Sequence, residues 1–567
     1  MVEQPQNPNQ SRKSRDLVQY LVLLGCLVLL NVLAARFFFR VDLTEDQRYT
    51  IAPATKNILR DLDKKVLVDV YLEGEFPSGF RRLQTGIRET LEEFRVYAGT
   101  NMEYRFIDPG ADEDLKKRNE KVTELARKGL QPTNLFAMEG DKKVEKLIFP
   151  GAIVSVQGKE MPVMLLKGNR AATPDEQLNQ SIEGVEYELA SAIQKLTNTK
   201  RKRIAFLDGH GELPTLQMGD MMASLNQFYE VVRVNLPKKE NLQGYDLIIM
   251  ARPTEAFSEE DKFKIDQFIM NGGKALFFIN ALNVHLDSVR TEGTFAFPYS
   301  LNLDDLFFKY GVRFNGDLIQ DINAGSIPMV VGFLGDRPQT QLVPWRFHPL
   351  INTFSKHPIT RNIDIVATRF VGTIDTVKAA GVVKTPLLST SPYTRVAAAP
   401  ASVNLNEARI EPTPDMFSKG SLPVGYLLEG SFQSVFTNRP VPEGSNRNGF
   451  RQRGDSARLA VFSDGDLIRN DVNPKTNRPM ELGLDRYSGA RYANKELIMN
   501  TIDYLLDESR LISVRNKEIT MRPLDRVKIK EERSQWQFVN LGMPLLLLFG
   551  FGLGRHVVRK RKYTRFD

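Results

Sequence analysis

Arg203-Ile-Ala-Phe-Leu-Asp-Gly-His-Gly-Glu212 is the stretch on which the fold turns. Ile204, Ala205, Phe206 and Leu207 make an apolar run too short for a helix, so it reads as a strand buried on both faces. The glycines after Asp208 then mark a tight turn. Outward from it, a helix falls near Leu216 to Phe228 and strands at Glu230 to Val234 and Tyr245 to Met250. A helix from Ser258 to Met270 and a strand from Ala275 to Ile279 continue the series. Strands alternating with helices predict an α/β, doubly wound parallel sheet.

That alternation stops near residue 287. Residues 287–455 are rich in Pro, Gly, Ser and Asn and read as an irregular β-rich insertion, with strand-like pieces such as Val382 to Leu388. The pairs His348-Pro349 and His357-Pro358 frame a short helix within it. Leu459 to Ser463 and a helix from Lys495 to Leu506 restore the α/β pattern, so the sheet module is assembled from 201–286 and 456–510.

Residues 40–170 form an earlier α/β module. Val66 to Leu72 reads as a strand, with Phe80, Leu83, Ile87, Leu91 and Phe94 at helical spacing behind it. A strand at Met102 to Ile107, a charged helix from Glu113 to Lys128, and strands from Asn134, Val144 and Ala152 follow. This order, with Pro132-Thr133 ahead of the third strand, is thioredoxin-like, although the CxxC pair of a redox enzyme is absent. Another α/β sandwich fits nearly as well. Residues 171–200 read as a linking helix.

Leu17 to Ala35 and Trp536 to Gly554 contain no charged residue, and as helices each reaches ~28 Å, close to a bilayer core. They predict transmembrane helices at 17–39 and 535–554, one at each end of a multi-domain extracytoplasmic body, with 511–534 as a charged stalk. Arg12, Lys13 and Arg15 mark the tail 1–16 as cytoplasmic. Arg555, Arg559, Lys560, Arg561, Lys562 and Arg565 do the same for 555–567 and can touch membrane lipid. The expectation is an inner-membrane protein with both termini cytoplasmic and its body periplasmic. A cleaved signal peptide is the alternative for the first segment.

The net charge of +8 lies largely in these tails, which argues against a nucleic-acid partner. The one cysteine, Cys26, falls in the first apolar segment, leaving the body without a thiolate nucleophile or disulfide. No GxxxxGK[ST] phosphate loop occurs. The sharpest motif is Asp208-Gly-His210-Gly-Glu212 at a strand's carboxyl end, where such sheets keep their sites. A second acidic turn, Ser463-Asp464-Gly-Asp466, ends another strand. Asp208, His210, Glu212, Asp464 and Asp466 are therefore candidate ligand-binding residues. The favoured alternative is structural, since glycine and aspartate build and cap strand-to-helix turns. Neither a catalytic set nor a metal set is assigned, and no cofactor is expected.

Several stretches carry a resemblance. Arg40-Val-Asp-Leu-Thr-Glu-Asp-Gln-Arg-Tyr-Thr50, Glu186 to Leu196, Ile204 to Glu212, Val383 to Ser391 and Asn494 to Leu505 are together similar to a family of ABC-transporter auxiliary proteins. The nearest likeness is to its gliding-motility-associated members in Bacteroidota. This resemblance implies a non-enzymatic, substrate-binding-like subunit partnered by a separate ABC permease and a cytoplasmic ATPase. It also implies an amidotransferase-like central sheet, without that activity because the body lacks cysteine. Two rival readings are a periplasmic hydrolase using His210 and Glu212, and a structural envelope scaffold.

Overall fold

Short apolar runs bounded by glycine and proline do become strands. The computed structural model describes residues 8–36, 50–111, 114–139, 142–168, 170, 172–198, 200–284, 289, 293–443, 449–454, 456–516 and 526–563. It is a mixed α/β structure that divides into a unit through Lys517 and a second from Glu518 to Asp567.

Helix α1 (Pro8–Arg36) contains a short apolar stretch, Leu17–Val32. Phe37 to Phe39, into which the first expected span extends, lie outside the described residues. The first module then runs through α2 (Pro53–Arg60), β1 (Val66–Val70), α3 (Ser78–Ala98), β2 (Met102–Phe106) and α4 (Leu115–Arg127). It continues with the hairpin β3 (Thr133–Glu139) and β4 (Lys142–Ile148), then β5 (Gly151–Val156), β6 (Lys159–Met164) and α5 (Pro174–Thr197). Its four-stranded sheet has the order β2-β1-β5-β6, with β1 parallel to β2 and antiparallel to β5. The strand after Pro132-Thr133 is not its third member: β3 pairs with β4 in a separate ribbon, and β5 takes that place.

Leu83, Ile87, Leu91 and Phe94 of α3 are buried, as their spacing requires. Helix α5 begins with a capping box between Thr173 and Glu176. It does more than link, because Val185, Leu189, Ala190 and Ile193 lie in the first module's core.

The second module is built on β7 (Arg203–Asp208), α6 (Gly219–Asn226), β8 (Glu230–Asn235), β9 (Leu247–Ala251), α7 (Glu259–Met270) and β10 (Lys274–Phe278). Its sheet has eight strands, ordered Thr353–Phe354, Val382–Ser389, Pro423–Gly430, Ala457–Phe462, β10, β9, β7, β8. From Ala457–Phe462 through β8 every pairing is parallel. The first three strands are antiparallel and come from the segment expected to be an insertion. The sheet is therefore mixed, not wholly parallel. Alternation sends Ile204 and Phe206 to one face and Ala205 and Leu207 to the other. Leu497 and Ile498 cover the first face, while Ile265 and Leu306 cover the second.

Two further readings are corrected. No helix lies between His348 and His357: the strand Arg337–Ile351 runs through Pro349, and Thr353–Phe354 follows it. The stalk does not begin at residue 511, because Leu511, Ile512 and Val514 are buried in the first module's core. Their apolar side chains are hidden in sequence among charged neighbours.

In the second unit, Arg526–Gln537, a π-helical turn at Phe538–Gly542 and Met543–Tyr563 follow in series. Pro544 lacks the amide hydrogen needed by the preceding turn, which accounts for the irregularity. Ile529–Lys562 is long and apolar enough to cross a membrane. Among the described residues it is the one helix that meets both criteria.

Burial of Ile512 makes a direct prediction. Ile512→Ala should destabilise the full-length protein by about 2–5 kcal/mol, as large-to-small core changes do, read as a lowered thermal midpoint. A midpoint unchanged from wild type would return this segment to the stalk.

Candidate functional site

The turn after β7 is held from three sides. Gly209 and Gly211 have φ of +116° and +71°, conformations that L side chains rarely adopt. A Cβ on Gly211 would also stand 2.1 Å from the Thr254 Oγ1. The His210 carbonyl accepts hydrogen bonds from the amides of Thr254 (2.9 Å) and Glu255 (3.0 Å). Its own amide donates to Glu212 Oε2 at 2.7 Å.

The imidazole of His210 is enclosed. It stacks on Phe257 with ring centroids 3.7 Å apart, and Nε2 lies 3.3 Å from Asp261 Oδ2. Asp261 belongs to the first turn of α7, where the Ser258 hydroxyl caps the helix and donates to the same carboxylate. Lys264 donates to Asp261 Oδ1 at 2.9 Å. Burial alone would lower the Lys264 pKa, but its bonds to Asp261 and Glu260 raise it, keeping the ammonium charged. On the other edge of the ring, Nδ1 and Glu212 Oε1 are 3.7 Å apart, and neither has a protein hydrogen-bond partner. His210 is thus a buried side chain that clamps the turn to α7, and Glu212 a buried one that braces the turn from within. Asp208 faces elsewhere, pairing with Arg233 at 2.8 Å on β8.

The second acidic turn follows the strand Ala457–Phe462. Asp464 is buried and accepts the amides of Arg369 (2.9 Å) and Asp466 (2.7 Å). Asp466 pairs with Arg252 at 2.6 Å and Arg469 at 3.3 Å. Gly465 is closed in by Arg252, which follows β9, and Asn280, which follows β10. Burial first, and the Asp466 charge second, push the Asp464 pKa up to about 8. Asp466 is pulled down despite its burial, by Arg252, Arg469 and Arg369. The two carboxyls are therefore pushed in opposite directions, Asp464 up and Asp466 down.

The carboxyl ends of β7, β9, β10 and Ala457–Phe462 meet, so the two motifs share a sheet edge. Arg252 to Ser258, between β9 and α7, touches both: Arg252 holds Asp466, while Thr254, Glu255 and Phe257 hold His210. Among the described residues, no hydrogen bond or ion pair joins Asp208, His210 or Glu212 to Asp464 or Asp466. Sequence reading did not single out Asp261, Arg252, Arg369 and Arg469. Asp261 carried one signal, the serine cap three residues before it; the arginines carried none.

Beside Asp466 lies a cavity of about 60 Å³, lined by His348, Thr368, Arg369, Arg469 and Asp471 among others. His348 is 8% exposed, and burial lowers its pKa to about 3, so its ring is neutral.

The Asp464 carboxyl generates a pH prediction. Its folded pKa exceeds the ordinary carboxylate value of about 3.9. Its contribution is therefore complete below that value and lost as the pH rises through about 8. Buried His348 and His357, lowered to about 3 and about 4, act in the opposite sense but are common to wild type and variant. The stability gap between wild type and Asp464→Asn should shrink from about pH 5 to about pH 8.5 in thermal melts; a widening gap contradicts the assignment.

Similarity to known families covers parts of both modules. Residues 201–501, more than half of the chain, match a family described as an ABC-type uncharacterized transport system. Residues 45–155 match a domain of unknown function. An uncharacterized protein of Borreliella burgdorferi is 22% identical over 544 residues, spanning 92% of this chain and 94% of that protein. A solved structure, the mmIFT52 N-terminal domain, is 14% identical and aligns over 54% of this chain and 99% of its own, with a TM-score of 0.31.

Proposed function

The chain belongs to the family of the ABC-type uncharacterized transport system, and we propose that it is a non-enzymatic accessory subunit working with a separate permease and a separate ATPase. The observation that carries this reading is the match over residues 201–501, which spans the mixed sheet and both acidic turns. The apolar helix Ile529–Lys562 supports a membrane anchor. In this reading the second anchor is the N-terminal segment, both termini are cytoplasmic, and the body lies outside the inner membrane. The body binds a ligand or an envelope partner and couples that event to the transporter.

A hydrolase is the weaker reading on geometry. His210 is stacked on Phe257 and engaged by Asp261, so its ring has no open approach for a substrate. A general base must come within hydrogen-bond reach of the proton it takes. The Asp464–Asp466 turn, next to a cavity, is the better place for a ligand. The β2-β1-β5-β6 order supports a thioredoxin-like first module acting in binding or support. The sequence likeness to gliding-motility-associated proteins of Bacteroidota supports a role in that machinery.

The test is purification of the full-length protein from native membranes in mild detergent, with every co-purifying protein identified. A multi-span permease and an ATPase bearing a phosphate loop should be recovered, and a variant ending at residue 525 should lose both. Recovery of neither with the intact chain would favour the scaffold reading.

A further inference from the structure

The cavity beside Asp466 has a chemical signature of its own. It lies between the loop after the strand Ala457–Phe462 and the β-rich segment, with His348 and Arg369 on one side and Arg469 on the other. Buried polar atoms normally find partners. Here the Arg469 Nε and the His348 Nε2 are both buried without one. The cations are held loosely: Arg469 reaches Asp466 at 3.3 Å, and Arg369 reaches Asp471 at 3.5 Å. Asp466 accepts its short bond, 2.6 Å, from Arg252, which lies outside the cavity lining.

Arg369 and Arg469 line the site, while Arg252 pairs with Asp466 and Arg486 feels Asp471 from outside the lining. Asp485 is occupied within its own turn by the amides of Tyr487 and Ser488. Asp464 has its pKa pushed upward by burial first and by Asp466 second. The cavity's own lining sets Arg369 and Arg469 against Asp466, Asp471 and Asp485, and within it the Arg469 Nε hydrogen has no acceptor. A buried donor left without an acceptor is destabilising. Arginine's planar fork suits carboxylate and phosphate oxygens in particular. A volume of about 60 Å³ admits a few waters or one small head group, with the rest of any larger ligand outside.

We propose that this cavity binds the oxyanion head of a ligand, a carboxylate or a phosphate, on Arg369 and Arg469 with the His348 Nε2 hydrogen as a third donor. The site deepens the ligand-binding part of the function proposed above and rests on it only for what the ligand does. Binding is measured without a permease, so failure to co-purify a transporter and failure to bind an anion are separate results.

The experiment titrates the detergent-purified full-length protein with inorganic phosphate and, separately, with acetate, against chloride at matched ionic strength. Calorimetry and the thermal midpoint are both followed. Saturable binding of at least one oxyanion, absent with chloride, is the expected result. Phosphate alone identifies a phosphoryl-bearing ligand, acetate alone a carboxylate-bearing one, and both together the shared chemistry. Arg469→Gln and His348→Phe should each weaken binding at least tenfold, while Arg233→Gln, on the pair with Asp208, should leave it unchanged. If one cavity variant fails to fold, the other and the wild-type titration still decide. No saturable binding of either oxyanion, or equal binding by both folded cavity variants and wild type, overturns the proposal.

Discussion

Arg515 is the contact on which the rest of the body depends. Its side chain is 5% exposed, and a buried guanidinium is tolerated only where its hydrogens are met. It donates to Asn500 Oδ1 at 2.8 Å and to the Arg361 carbonyl at 2.6 Å, both in the second module. Its guanidinium also lies 5.2 Å from the ring centre of Tyr187 on α5. Lys167 bridges Glu188 and Glu496 nearby, and Lys195 reaches Asp503 at 2.7 Å. Charged groups thus fasten one module to the other along the two chain crossings, α5 and Leu511–Asn516. The apolar residues of both crossings lie within the first module's core. The second module is consequently held at its entry and its exit, and residues 50–516 should respond as one cooperative body.

Within that body the sheet's carboxyl edge is a lock with an opening beside Asp466. Gly211 allows the chain to turn against the loop after β9 and Gly209 against Pro237 after β8, and His210 fixes that turn to α7. Aspartates of the second turn organise arginines instead of facing solvent themselves. His210 and Glu212 therefore contribute stability and shape. The Asp464–Asp466 turn positions cationic side chains around a cavity. Two motifs that look alike in sequence have opposite outcomes because one is covered by Phe257 and the other borders a void.

Much of the α/β core was legible because its signals are local. A strand buried on both faces, such as Arg203–Asp208, is a continuous apolar run, and α3 carries its period in Leu83, Ile87, Leu91 and Phe94. What escaped depends on distant partners. Val382–Ser389 reads as a strand, but only its pairing with Pro423–Gly430 makes it part of the main sheet. Leu511 to Val514 are too few to show a period, and charged residues follow them. The turn residues were visible as glycines and acids. Their partners Asp261, Arg252, Arg369 and Arg469 are brought to them by tertiary structure, which no spacing encodes.

Calorimetric unfolding of the full-length protein tests the cooperative body most directly. A single transition is predicted for wild type, with Arg515→Ala separating it into two as Asn500 and the Arg361 carbonyl lose their shared donor. Two independent transitions in the wild-type protein would contradict the account, leaving two modules joined in sequence but not in mechanics.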